Sequence, residues 1–197
     1  MCLRLVGSEM CIRDRGDEIE MLLQQGQYEK AKDLGMKQGA KSWNKMAMKA
    51  AKQKIYHSRC GDAAALLAHC ENPDDDNLIK MLKHVAVDLL GGHSDSPALK
   101  ASCTMLHNAV RSLELISSQH SLLQEFKQLL EATHFSCLKQ ECQEAGLKKL
   151  AAKQAAALLR YTAFVPADKA FYEAGIAMRE SGAVSYTHLT LPTIVGV

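Results

Sequence analysis

Thiols and imidazoles are the side chains here with the most chemistry to offer, seven cysteines and eight histidines in 197 residues. Three of them fall together as His134-x-x-Cys137-x4-Cys142, ligand types that suit zinc. On a continuous helix, residues five apart project about 140° from one another, so Cys137 and Cys142 would not meet at one tetrahedral ion. His69-Cys70 sets a base beside a nucleophile, but adjacent residues on a helix point away from each other. His57, His84, His107 and His120 are dispersed and read as surface or interhelical residues. Cys2, Cys11, Cys60, Cys70, Cys103, Cys137 and Cys142 are odd in number and contain no CxxC pair, which argues against a disulfide framework or a zinc ribbon and for reduced thiols. No phosphate-binding or dinucleotide-binding glycine loop, HExxH, GxSxG or EF-hand pattern occurs. The expectation is no catalytic residue, no cofactor and no metal.

Charge gives a sharper local signal. The formal net charge is only +2, which supplies no overall drive toward nucleic acid or anionic membrane. Between Lys30 and Arg59, however, nine basic residues face one acid, Asp33. Helical spacing puts Lys41, Lys45, Lys49 and Lys52 on one side of a helix and Trp43, Met46, Ala47 and Ala50 on the other. Such a stripe reads first as a solvated helix face, and its functional reading is docking of an acidic partner surface or, as the alternative, RNA phosphates. An RNA-binding repeat needs cations at matching positions in successive repeats, whereas this basicity is confined to one hairpin and is followed by Asp74, Asp75 and Asp76. The charge pattern favours a protein partner.

The elements that carry these residues read as helices throughout. Apolar residues make up 47% of the chain, aromatics only 5%, and there are four prolines, which together favour an all-α fold with a continuous core. Ile19, Leu22 and Leu23 mark a first short helix closed by Gly26, and a second covers about Tyr28 to Gln38. The basic helix runs from Lys41 until Cys60-Gly61-Asp62 breaks it, and a short small-residue helix spans Ala63 to Cys70. Leu78, Leu82, Val85 and Leu89 define the next, stopped by Gly91-Gly92. After a turn at His93 to Pro97, Leu99, Cys103, Leu106, Val110 and Leu113 form a longer stripe. Ser121 and Gln124 resemble a capping box ahead of Leu122, Phe126, Leu129 and Leu130. Leu147, Ala151, Ala155 and Leu158 share one face, and Pro166 opens a last helix with Ala170, Phe171, Ala174 and Met178 inward.

Eight or nine helices with short loops imply stacked antiparallel hairpins, a tetratricopeptide-like α-solenoid. Placing Gln25–Ala31 over Cys60–Leu66 sets Gly26 on Gly61 at a shift near the roughly 34-residue tetratricopeptide period. No run approaches the roughly 18 apolar residues of a membrane span, and the N-terminus lacks a signal-peptide pattern, so the expectation is a soluble, intracellular chain. Residues 1–15 and 184–197 differ abruptly from the body and resemble translated sequencing-adapter DNA. The expected division is therefore a non-native or disordered stretch at 1–15, a helical repeat region at 16–183 and a second such stretch at 184–197.

The segment Ala157 to Gly182, ALLRYTAFVPADKAFYEAGIAMRESG, closely resembles the end of the tetratricopeptide-like region in the intraflagellar transport protein 172 family. Trp43 to Leu90 and Leu106 to Phe135 resemble the preceding helices of that region, so the resemblance covers nearly all of Asp17 to Ala183 and is lost at Ser185. In that family two β-propellers precede a long helical solenoid without a catalytic centre. The resemblance implies a scaffold of intraflagellar transport complex B, needed for cilium assembly and train turnaround. Its implied partners are other complex B subunits and complex A, with no nucleic acid and no membrane insertion. Its implied location is the cilium or flagellum, the ciliary base and the cytoplasm.

Overall fold

The computed structural model describes residues 16–71, 75–92, 94–115 and 120–182. The stretches set apart at 1–15 and 184–197 lie outside these residues, as do Asp74 and His93. Helix α1 covers 16–24, where Ile19 and Leu23 are buried, and Gly26, at φ 75°, turns the chain into α2, Tyr28–Met36. There follow α3, Ala40–Tyr56; α4, Cys60–Leu67; α5, Asp76–Gly91; α6, Ser96–Glu114; and α7, His120–Glu144. The last are α8, Lys148–Leu158, extended by a 3-10 turn at Leu159–Tyr161, and α9, Ala167–Glu180. Among the described residues there is no strand, and no helix is long and apolar enough to cross a membrane.

From α2 onward each helix packs on the next, and α4 also packs on α6, α5 on α7, and α3 on α5. That pattern, neighbours and next-neighbours in chain order, is the signature of an all-α helical solenoid. Trp43, Leu66, Leu78, Leu106, Phe126 and Leu129 are fully buried along its axis. Burial of each such side chain is worth about 1.5–3 kcal/mol.

Small residues set the distance between the rods. Ala63 and Ala64 of α4 are inaccessible, and a Cβ added at Gly61 would lie 2.8 Å from Cβ of Ala98 in α6. A Cβ at Gly35 would meet the buried indole of Trp43 at 2.7 Å. Gly61 therefore lies inside α4, against a neighbouring helix, and does not break α3. The break falls at Ser58, which takes the left-handed conformation at φ 57°, and α4 is already helical at Cys60. The proposed alignment of Gly26 with Gly61 pairs a turn glycine with a packing glycine. The even-numbered helices α2, α4, α6 and α8 start at residues 28, 60, 96 and 148, a spacing that widens because α7 is 25 residues long.

Other sequence expectations shift by a fraction of a turn. In α3 the closed face is Trp43, Asn44, Ala47 and Ala51, with Met46 and Ala50 half-buried. Pro97 belongs to the first turn of α6, whose N-cap is Asp95, accepting from the Ala98 N–H at 3.0 Å. Ser121 lies within α7, already helical at His120, so it is not that helix's N-cap. Leu147 and Phe171 are half exposed, at 50% and 46%, because α8 and α9 meet through Ala152, Ala155, Ala174 and Ala177 instead.

Gly61→Ala should lower the stability of the folded chain by about 1–3 kcal/mol, since either helix must shift to admit the methyl group. Urea unfolding followed by circular dichroism measures this, and an unchanged midpoint would mean that α4 and α6 are not in contact there.

Candidate docking face

The helix α3 presents two surfaces beside its buried one. Lys41, Lys45, Lys49 and Lys52 are all exposed, as the helical spacing predicts. The ion pairs of this basic stretch lie elsewhere, Lys32 with Glu71 at 2.6 Å and Arg59 with Asp62 at 2.5 Å. The stripe thus holds its positive charge toward solvent.

Next to the stripe, α1 and α3 bound a groove of about 850 Å³. Ile19 and Leu23 of α1 and Met46 and Ala50 of α3 line it. Of the four lysines expected to dock a partner, only Lys49 reaches the groove, while Lys54, His57 and Arg59 join it there. Lys54 Nζ also stands 5.4 Å from the centre of the Tyr28 ring. Lys54 and Arg59 belong to the basic stretch read from the sequence but lie off its lysine stripe. The groove is instead framed by the α3 face that carries Met46, Ala50 and Gln53, continued by His57 just past the helix end.

Cys70, Cys103 and His69 are each shifted away from the form a nucleophile or base would use. Burial pushes the Cys70 thiol up to about 12, against a smaller opposing effect of Lys32. Cys103 is likewise raised to about 12 by burial, then by Cys137 and Glu141. Burial lowers His69, and Lys32 lowers it further against Glu29. A protonated thiol beside a weakened base is not an activated nucleophile. In α7, Cys137 is buried, Cys142 half-buried and His134 exposed. The structure does bring Cys103, His107, Glu131 and His134 around one open cleft between α6 and α7. Even so, among the described residues no group of three or more His, Cys, Asp or Glu is arranged to hold a metal ion.

Polar side chains that the sequence left unremarked close the helix ends. Trp43 Nε1 donates to the His69 carbonyl at 3.0 Å and Asn108 Nδ2 to that of Ala68 at 2.8 Å. Asn44 bonds the backbone of Glu71 twice, donating to its carbonyl at 2.6 Å and accepting from its N–H at 3.2 Å. These satisfy carbonyls at the C-terminus of α4 that have no partner within the helix. At the end of α5, Lys169 Nζ donates to the carbonyls of Leu90, Gly91 and Gly92 at 3.0, 3.1 and 2.5 Å. Glu173 ties Lys169, at 4.0 Å, to Lys139 of α7, which it also pairs. A cation at a helix C-terminus also meets the negative end of the helix dipole. Desolvation holds Lys169 below the ordinary lysine range, partly offset by Glu173.

The fold and this surface define a class, the all-α helical-hairpin array, in which extended faces and helix grooves are the features on offer. Within that class the chain is similar to a segment of intraflagellar transport protein 172. It is 28% identical over 174 residues to the intraflagellar transport protein 172 homolog of Mus musculus, a match covering 83% of this chain and 10% of the relative. Identity to intraflagellar transport protein 172 of Chlamydomonas reinhardtii is 28% over 171 residues, covering 83% and 10%. For intraflagellar transport protein osm-1 of Caenorhabditis elegans it is 26% over 174 residues, covering 84% and 10%. The chain therefore spans about one tenth of the length of these curated relatives. No family model matches it.

Iodoacetamide at about pH 8 should leave Cys70 and Cys103 unmodified in the folded chain and label them only in urea, read by peptide mass spectrometry. A thiol that ionises near 9.0 when unfolded but near 12 when folded contributes stability below pH 9 that is lost as pH rises toward 12. Lys169→Met should cost about 1.5–3 kcal/mol, the range for hydrogen bonds from a charged group, and speed amide exchange at the end of α5. Unaltered exchange there would contradict the clasp.

Proposed function

We propose that this chain is a segment of a non-catalytic interaction scaffold of intraflagellar transport, an extended helical surface on which other proteins of the transport machinery assemble. One observation carries the reading: about 28% identity, running through the helical body, to relatives named as intraflagellar transport proteins. The solvent-facing lysine stripe agrees with a surface that binds, and burial holds the Cys70 thiol in its protonated form. On this reading the chain acts within complex B and meets complex A components, serving cilium assembly and train turnaround at the cilium and its base. Lys41, Lys45, Lys49 and Lys52 are the proposed contacts to an acidic partner surface.

RNA binding, the alternative raised by the basic stretch, finds less support. The α5 helix begins with Asp75 and Asp76 where a second basic repeat would be needed. Exchanging Lys41, Lys45 and Lys49 for Glu should weaken capture of complex B subunits from ciliated-cell extract while the helical circular dichroism signal is retained. Undiminished capture by the triple variant would remove these lysines from the interface.

A further inference from the structure

We infer that α9 is a releasable helix, clasped to the array by charge and not by a deep apolar face, which swings out as a unit at Val165 and Pro166 while the other helices stay folded. The residues it buries are Ala170, Ala174 and Ala177, whereas Phe171 and Tyr172, its aromatic side chains, are exposed. Ala174 and Ala177 meet Ala152 and Ala155 of α8 in a small cluster apart from the main core. An alanine methyl takes far less apolar area out of water than the Leu78, Leu82, Val85 and Leu89 that anchor α5. Apolar burial alone therefore holds α9 weakly.

Its other attachments are polar. The helix packs chiefly on α8 and the 3-10 turn, and it reaches α5 and α7 through long side chains. Lys169 Nζ donates to three carbonyls at the end of α5, and Glu173 accepts from Lys139 of α7, which is buried. Two ammonium groups thus share one carboxylate. Without it Lys139 is left buried and unpaired beside Lys169, a loss larger than the net worth of the ion pair. The hinge lies where the core's grip ends. Phe164 and Val165 belong to the main core, and both N–H groups donate to the Tyr161 carbonyl, at 2.9 and 3.0 Å. Pro166 has no N–H to lose, and its carbonyl accepts from Ala170, so that bond travels with α9. Release uncovers the carbonyls of Leu90, Gly91 and Gly92 together with the Lys139 ammonium, a polar surface that the clasped state keeps closed.

The test is native-state amide exchange of the full chain at urea concentrations below its unfolding transition. The amides from Phe171 to Met178 should exchange faster than those from Ser102 to Ala109 in α6, with a weaker dependence on urea. Glu173→Gln should speed exchange in α9 by about tenfold or more and leave α6 unchanged, with circular dichroism confirming that the array stays folded. Ile79→Val, a mild change in the main core, should do the reverse, speeding exchange in α6 by about two- to tenfold and sparing α9. Equal rates and urea slopes in α9 and α6, an unaltered α9 in Glu173→Gln, or either substitution acting equally on both helices would overturn the inference. Each of these results leaves the scaffold reading intact.

Discussion

The structure depends on how closely α4 can approach the helices beside it. An isolated helix of eight residues is not stable in water, so α4 exists because α3, α5 and α6 enclose it. Gly61, Ala63 and Ala64 let the neighbouring helices close on the first half of that helix, while its C-terminal end is only half-buried. At that end the carbonyls of Ala68 and His69 and the backbone of Glu71, which have no partner within the helix, take partners from neighbouring side chains. The Trp43 indole and the amides of Asn44 and Asn108 supply them from α3 and α6. Close packing at one end and polar closure at the other hold α4 together.

The same solution recurs at the end of α5, where Lys169 reaches back across many residues of sequence. A simple stack would join each hairpin only to its neighbours, whereas the Lys139–Glu173–Lys169 chain ties α5, α7 and α9 together. Rigidity gained this way bears on function, because a docking surface that keeps its shape loses less entropy on binding. With its closed face committed to α4, α3 is left with a lysine stripe and a half-buried apolar edge beside it. The stripe and the groove are thus consequences of how α3 is held.

Much of this was legible in the sequence. The spacing of Leu78, Leu82, Val85 and Leu89 places α5 and its buried face, because a large apolar side chain has one low-energy destination. The lysine stripe was legible for the converse reason, that charge stays in water. What the sequence obscured were contacts decided by a second element. Gly61 looks like a turn residue until Ala98 is beside it, and Asn44 looks like a surface amide until the backbone of Glu71 needs it. Phe171 reads from the sequence as an inward knob beside Ala170, Ala174 and Met178, but alanines let α8 and α9 approach more closely than an aromatic knob would allow. Lys54 and Arg59 belong to the groove only because α1 lies across from them, a placement that helical periodicity within α3 does not contain.

Amide hydrogen exchange of the α4 backbone tests the central claim most directly, because this helix has no stability of its own. If close packing and side-chain closure hold it, the amides of Ala64, Ala65, Leu66 and Leu67 should exchange as slowly as those in the middle of α6, opening only with the whole array. Exchange of α4 at the rate of an unstructured peptide, with α6 still protected, would contradict the account.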